Sequence, residues 1–237
     1  MSPTPGKLYL VPTPVGNLSD ITERVRETLE LVDVVACEDT RVSGRLLSHL
    51  GLKKDLISYH DFNEASRAEK LGAMLREGRS IAVVSDAGSP GISDPAYRVV
   101  RTAIDMEAEI VPLPGPSALI PALTASGLPT DRFFFEGFLP HKSGARQNRL
   151  KALVDLEHTL VFYESPHRVV KSVGDMRDIL GTRSACLARE ISKKFEQFIR
   201  ARLDDLYEEI AARPPKGEIV VIVAGAAYHK KESKPQE

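Results

Sequence analysis

Two α/β domains with mainly parallel sheets and an interdomain cleft are the architecture this sequence predicts, and three observations predict it. Short runs rich in β-branched residues alternate with amphipathic stretches of helical length, the pattern of strands joined by crossover helices. Several of those runs break at once into turns of Gly, Pro and small polar residues, as strands do where an open α/β sheet gathers its ligands. The chain has 237 residues, 42% of them hydrophobic, enough for one or two buried cores, and shows neither a repeat nor a low-complexity linker.

Leu8–Val11 reads as the first strand and ends in the turn Pro12-Thr13-Pro14-Val15-Gly16-Asn17. A helix follows, with Asp20 and Glu23 at capping-box spacing and Ile21, Val25, Leu29 and Val32 on one face. Val34–Cys37 is the second strand, and 40–50 a helix closed by Gly51. A longer helix at 64–77 stops at Gly78 and leads into the strand Ile81–Val84. Residues 109–113 form a further strand, before Pro114-Gly115-Pro116-Ser117 and a helix that ends at Gly127. The second unit opens near Leu128-Pro129-Thr130-Asp131 with the strand Phe133–Phe138. It continues with strands at 159–163, 185–188 and 219–223, with helices at 169–180 and 203–211 between them. Such alternation implies crossovers and a largely parallel arrangement. The domains are drawn at 1–119 and 120–227, with 228–237 a solvated tail lacking apolar anchors.

The most distinctive segment runs Ile81-Ala82-Val83-Val84-Ser85-Asp86-Ala87-Gly88-Ser89-Pro90-Gly91-Ile92-Ser93-Asp94-Pro95. An apolar strand gives way to a loop whose glycines and prolines fix its path, because Gly admits positive φ while Pro locks φ and lacks a donor. Small side chains let a ligand press directly on main-chain N–H and C=O groups. The alternative, a plain tight connection, needs less punctuation than this.

Other classes lose ground. No G-x-G-x-x-G follows the first strand and no G-x-x-x-x-G-K-[ST] occurs, so the common dinucleotide and P-loop signatures are missing. A net charge of -1 gives no global basic field, and any nucleic-acid surface must be local. Cys37 and Cys186 each adjoin an apolar run and read as buried thiols rather than a disulfide, which suits a reducing compartment. No stretch has the length of a membrane span. The first residues lack a charged segment followed by a long apolar core, so no signal peptide is read and a cytoplasmic protein with no membrane partner is expected. The two Cys and six His show no ligand spacing, and no metal is expected.

A set of motifs then falls in order along the chain. They are Val11-Pro12-Thr13-Pro14-Val15-Gly16-Asn17-Leu18, Glu38-Asp39-Thr40-Arg41, the loop 85–95 and Pro114-Gly115-Pro116-Ser117-Ala118. Gly137-Phe138-Leu139-Pro140, Tyr163-Glu164-Ser165-Pro166-His167-Arg168 and Arg189-Glu190-Ile191-Ser192-Lys193 complete it. Together, over residues 7–225, they resemble the small-subunit ribosomal RNA (cytidine-2'-O)-methyltransferase branch of the tetrapyrrole methylase superfamily. The resemblance implies the tetrapyrrole methylase fold, S-adenosylmethionine held in the interdomain cleft as methyl donor, and usually a homodimer. It also implies a substrate, a cytidine ribose in the decoding region of 16S rRNA, met as rRNA or within the small ribosomal subunit. Longer members carry a further C-terminal helical region, so RNA docking here is expected to rest on the two core domains or the dimer. Ser89 stands where Thr is usual, and Ala96 and Ala201 where Gly is usual; no reactive group is lost.

On this resemblance Pro12, Ser85, Asp86, Gly88, Ser89 and Pro90 bind the donor, together with Gly115, Pro116, Ser117 and Ala118. Asp86 would pair with its ammonium. The 115–118 turn would form a helix N-terminus whose unpaired N–H groups suit its carboxylate. Tyr163, Leu187, Ala188, Gly217 and Glu218 resemble the wall beside the adenosine, with core packing the alternative for Tyr163 and Leu187.

Methyl transfer to a 2'-hydroxyl needs in-line alignment and gains from a base that takes the proton. Asp39, just past the second strand at the ligand rim, is the first candidate, with Glu38 and Glu164 its rivals. The structural alternative is that this segment merely caps the next helix, with Arg41 pairing one carboxylate. Arg41, His167, Arg168, Arg189 and Lys193 read as substrate positioners, since cations beside nucleic acid meet phosphates, and Asn17 joins them. Lys142, Arg146 and Arg149 lie on a basic helical segment that suits RNA, or else a solvated helix face.

Two other readings compete with an rRNA 2'-O-methyltransferase. A tetrapyrrole C-methyltransferase of the uroporphyrinogen or precorrin type would share the donor loops but want room for a large anionic macrocycle; the basic segment and the 163–168 motif argue against it. A non-catalytic RNA-binding assembly factor would have no use for the retained Asp39, Glu164 and ligand turns.

Overall fold

The computed structural model describes residues 4–228, and the chain divides into two compact units between Ser117 and Ala118. The break falls just ahead of the expected one at 119. Of the expected tail, only Tyr228 lies within the described residues, and it packs against the core of the second unit.

The first unit holds β1 (Leu8–Val11), β2 (Val34–Cys37), β3 (Asp55–Ser58), β4 (Ile81–Val84) and β5 (Ile110–Pro112), all parallel in the order β3-β2-β4-β1-β5. The inner strands β2, β4 and β1 are covered on both faces, so they read as continuous apolar runs rather than alternating ones. Leu8, Ala36, Ile81 and Val83 face α3 (Glu64–Arg76) and α4 (Tyr97–Asp105). Tyr9, Val11, Val35, Cys37, Ala82 and Val84 share the other core with Val25 and Leu29 of α1 (Glu23–Leu31) and Leu47 of α2 (Thr40–His49). Thr22, not Asp20, caps α1, its hydroxyl accepting from the Val25 N–H; Asp20 belongs to a single 3-10 turn before it. Ala96, placed where the resemblance led to Gly, has a φ of -165°, outside the left-handed region that favours glycine.

Register is what builds the site. Val11 lies opposite Val84, Val84 opposite Cys37 and Cys37 opposite Ser58, so four strands end level with one another. The residues that leave them, Pro12–Thr13, Glu38–Asp39, Tyr59–His60 and Ser85–Asp86, therefore emerge side by side at the carboxyl edge, where open α/β sheets bind ligands.

In the second unit the expectation of a mainly parallel sheet is corrected. α5 (Leu119–Thr124) precedes β6 (Phe133–Phe138), α6 (Ser143–Leu153), β7 (Thr159–Glu164), α7 (Val169–Leu180), β8 (Ser184–Arg189), β9 (Gln197–Arg202), α8 (Leu203–Ala212) and β10 (Ile219–Val223). The order is β6-β7-β10-β8-β9, and only β6–β7 is parallel. The reason is β9, which no apolar run announced: the short link 190–196 returns it antiparallel to β8, as hairpin links require. Cys37 and Cys186 are buried free thiols in separate units, and burial pushes the Cys186 thiol up to about 11. Among the described residues no helix is long and apolar enough to cross a membrane.

Candidate functional site

Hydrogen bonds stitch the loops after β1, β4 and β5 into one cluster. Thr13 and Gly88 exchange both backbone hydrogen bonds at 2.8 Å. The Thr13 hydroxyl donates to Ser85 O (3.0 Å), the Ser85 hydroxyl to Gly88 O (2.8 Å), and the Ser89 hydroxyl to Pro116 O (3.3 Å). Gly88 adopts φ +87°, while a Cβ there would make only ordinary contacts; its absence of a side chain serves backbone conformation, not space. At Gly115 the opposite holds. A Cβ would stand 2.7 Å from Pro12 Cγ, so the β1 and β5 loops can touch only because this residue has none. Pro12 is buried in that contact. Ala118 is the N-cap of α5 and offers no side-chain cap to it. A cavity of about 290 Å³ adjoins the cluster, lined by Thr13, Ser85 and Asp86 with Val42, Arg45 and Leu46 of α2.

The acidic residues beside it differ in what they are free to do. Asp39 is the N-cap of α2, its carboxylate accepting from the Arg41 N–H (2.8 Å) and forming a fork with the Arg41 guanidinium at 2.6–3.2 Å. That pairing, with the backbone hydrogen bond, holds Asp39 down at about 2. The capping alternative is thus what the structure contains. Asp86 accepts the Asp39 N–H on Oδ1 (3.1 Å), tying the β2 and β4 loops together; burial, opposed by that bond, raises its pKa. Burial first, then Asp86 and Asp61, raise Glu38. Asp94, in the β4 ligand loop but not among the residues the sequence singled out, is pushed up to about 7 by burial and by Glu38, Asp86 and Asp61. The Gly-x-Ser-Asp-Pro spacing was the signal available for it.

A second cavity, about 470 Å³, is lined by Glu38, Asp39, Arg41, Ser58, His60 and Phe62 together with Thr40 and Asp86. Its β3 side was missed because Asp55-Leu56-Ile57-Ser58 carries only two apolar residues and reads as loop.

Residues expected to act from the second unit serve mostly as its braces. The Glu164 side chain is 1% exposed; Ser172 and the Ser165 N–H donate to it, and Arg168 Nε sits 3.3 Å away. Arg168 also donates to Leu139 O (2.6 Å). Arg146 pairs with Asp175 at 2.6 Å in a buried contact, and Arg149 forms a fork with Glu136 at 2.6 and 2.7 Å. The basic helical segment is therefore no open phosphate patch, for only Lys142 of the three stands clear. Lys193 bridges Glu190 and Glu218 at 3.1 Å, and Glu190 accepts the Glu218 N–H (3.0 Å), which fixes the 217–218 turn. Arg189 donates to Gln197 (3.3 Å), while His167 is exposed. Tyr163 stacks edge-on with Phe135 and Phe138, and Leu187 and Ala188 are fully buried in two different cores, leaving only main chain for a ligand. Asn17 caps the 3-10 turn through Ser19 N–H.

Comparison with known proteins adds what geometry cannot. Residues 7–207 match the family described as Tetrapyrrole (Corrin/Porphyrin) Methylases. The chain is 52% identical over 221 residues to a Mesorhizobium japonicum protein named Ribosomal RNA small subunit methyltransferase I, covering 92% of this chain and 75% of that one. A relative of the same name from Escherichia coli O157:H7 is 50% identical over 223 residues, covering 93% and 78%. Among solved structures, the methyltransferase CobJ aligns over 94% of this chain and 95% of its own with a TM-score of 0.70, a likeness of fold alone at 22% identity.

Proposed function

This chain belongs to the tetrapyrrole (corrin/porphyrin) methylase family, and from that premise we propose that it methylates the 2'-hydroxyl of a cytidine in small-subunit ribosomal RNA, with S-adenosylmethionine as donor. The observation that carries this is identity of 50–52% across more than nine-tenths of the chain with proteins named for that RNA. The likeness to CobJ, at 22% identity, is one of fold and carries no substrate. Such a substrate places the reaction in the cytoplasm, and the resemblance adds a homodimer.

The residues present fit the donor. Three loops clear of large side chains meet at the carboxyl edge, and the Thr13–Gly88 pair and the Pro12–Gly115 contact hold them in place before any ligand arrives. Asp86 keeps Oδ2 for the donor's ammonium, and the main chain of 88–90 and 115–117 would hold its amino-acid end. When bound, S-adenosylmethionine supplies an electrophilic methyl group. The protein's part is to align the ribose oxygen with it and to take the hydroxyl proton as the new C–O bond forms. Asp39, held at about 2 by Arg41, is a poor acceptor, and Glu164 is enclosed. We assign the proton to Asp94, close enough to Glu38 and Asp86 at the cavity for their charges, after burial, to push it up to about 7, the working range of a general base, and without a hydrogen bond or ion pair among the described residues.

Gly115→Val tests the cradle. The new side chain would collide with Pro12, so the stabilisation that S-adenosylmethionine or its demethylated product gives to thermal unfolding should vanish while the ligand-free variant still folds. An undiminished ligand shift would separate the donor from these loops. The function itself is tested by supplying labelled donor with unmodified small subunits and, in parallel, with a tetrapyrrole acceptor: label should enter the RNA as 2'-O-methylcytidine and leave the tetrapyrrole untouched.

A further inference from the structure

Resting on the RNA reading above, we propose that the 470 Å³ cavity at the ends of β2 and β3 receives the target base, with Phe62 stacking on its ring and the Glu38 carboxylate accepting from its exocyclic amine. Phe62 is 99% exposed, the most exposed large apolar side chain among those described. It is no loose end. Asn63 accepts the His60 N–H on Oδ1 (2.9 Å), donates its own N–H to His60 O (2.9 Å) and sends its amide to Ser58 O (3.3 Å) and to His60 Nε2 (3.0 Å). Beneath this turn, Tyr59 is buried and donates to Glu64, which also pairs with Arg98 at 3.3 Å. The turn is built to hold an aromatic ring in water at the mouth of a cavity, the arrangement with which proteins stack an unpaired base.

The occupant follows from charge. Glu38, Asp39 and Asp86 line the cavity, with Arg41 as its cation, and Arg41 is already forked to Asp39. Carboxylates repel phosphate but accept from an exocyclic amine, which cytosine has and uracil lacks. Glu38 makes no hydrogen bond of its own among the described residues, so its oxygens are free to accept. His60 also lines the cavity, its Nε2 3.0 Å from the Asn63 amide. Asp86 lines this cavity and also the 290 Å³ cavity beside the donor loops, so a base seated here brings its ribose toward the methyl group. A base taken out of its stack for chemistry needs such a pocket.

The test uses small subunits reconstituted with RNA carrying cytidine, or the 4-deamino analogue pyrimidin-2-one riboside, at the modified position. Wild-type enzyme should prefer cytidine in kcat/KM by roughly 10- to 100-fold, the worth of one hydrogen bond to a charged group. Glu38→Ala should bring the ratio to near one, whatever rate survives. A fluorescent pyrrolocytosine at the same position should be quenched on binding by wild type and by Phe62→Tyr but not by Phe62→Ala, a readout that needs no turnover. A ratio that persists in Glu38→Ala, or a quench that persists in Phe62→Ala, would overturn the assignment. Absence of any transfer to cytidine RNA would instead overturn the functional reading, and the quench alone would then decide whether the base enters.

Discussion

Asp94→Asn is expected to slow single-turnover methyl transfer by roughly 10²–10⁴-fold, the usual span for a lost general base. Donor binding should hold, since the proton moves only in the transition state. The wild-type rate should climb with pH and level off above about 7, where Asp94 is ionised, and the variant should lose that limb. A second consequence separates chemistry from structure. The folded protein keeps the Asp94 proton up to about 7, whereas the unfolded chain releases it near the ordinary value of 3.8. Between those limits the folded state binds more protons, so stability falls as pH rises through the window. Asn cannot ionise. The variant should therefore melt higher than wild type above pH 7, with the gain vanishing toward pH 3.8. A catalytic group that the fold holds at its own expense behaves this way. Full activity in Asp94→Asn, with no gain in melting temperature, would remove Asp94 from the chemistry.

Glu164→Gln should do the reverse: cost stability and spare the chemistry. The wild-type carboxylate meets Ser172, the Ser165 N–H and Arg168, whose side chain is only 16% exposed. Gln retains the shape but leaves the guanidinium buried without its counter-charge, a loss of about 3 kcal/mol for the second unit. For a unit of this size the melting transition should fall by roughly 10 °C. The molecules that remain folded at low temperature should transfer methyl at the wild-type rate. A large fall in rate with an unchanged melting temperature would make Glu164 catalytic after all.

These expectations show where the sequence was legible. The first sheet was readable because crossover helices and doubly covered strands leave unmistakable apolar runs, as at Ile81–Val84. β3 and β9 were not. Gln197–Arg202 alternates charge with partly buried residues along an edge, and neither Asp55–Ser58 nor it buries a full face. Missing β9 made the second sheet look parallel. For the site, motif spacing located the loops but could not apportion their charges. Arg146, Arg149 and Arg168 looked like phosphate contacts until Asp175, Glu136 and Glu164 proved to lie within hydrogen-bonding reach, partners 13 and 29 residues away or one turn back. Asp39 drew attention for its place on the chain. Its pairing two residues on, to Arg41, decided its protonation.

Mass mapping of modified nucleosides shows most directly where the methyl group goes. Small-subunit RNA from cells lacking this protein should miss one 2'-O-methylcytidine in the decoding region. Purified protein and S-adenosylmethionine should restore it on subunits from those cells, and Asp94→Asn should not. An RNA with an unchanged set of methylated nucleosides, or a methyl restored on a base carbon or nitrogen instead of the ribose oxygen, would contradict the account.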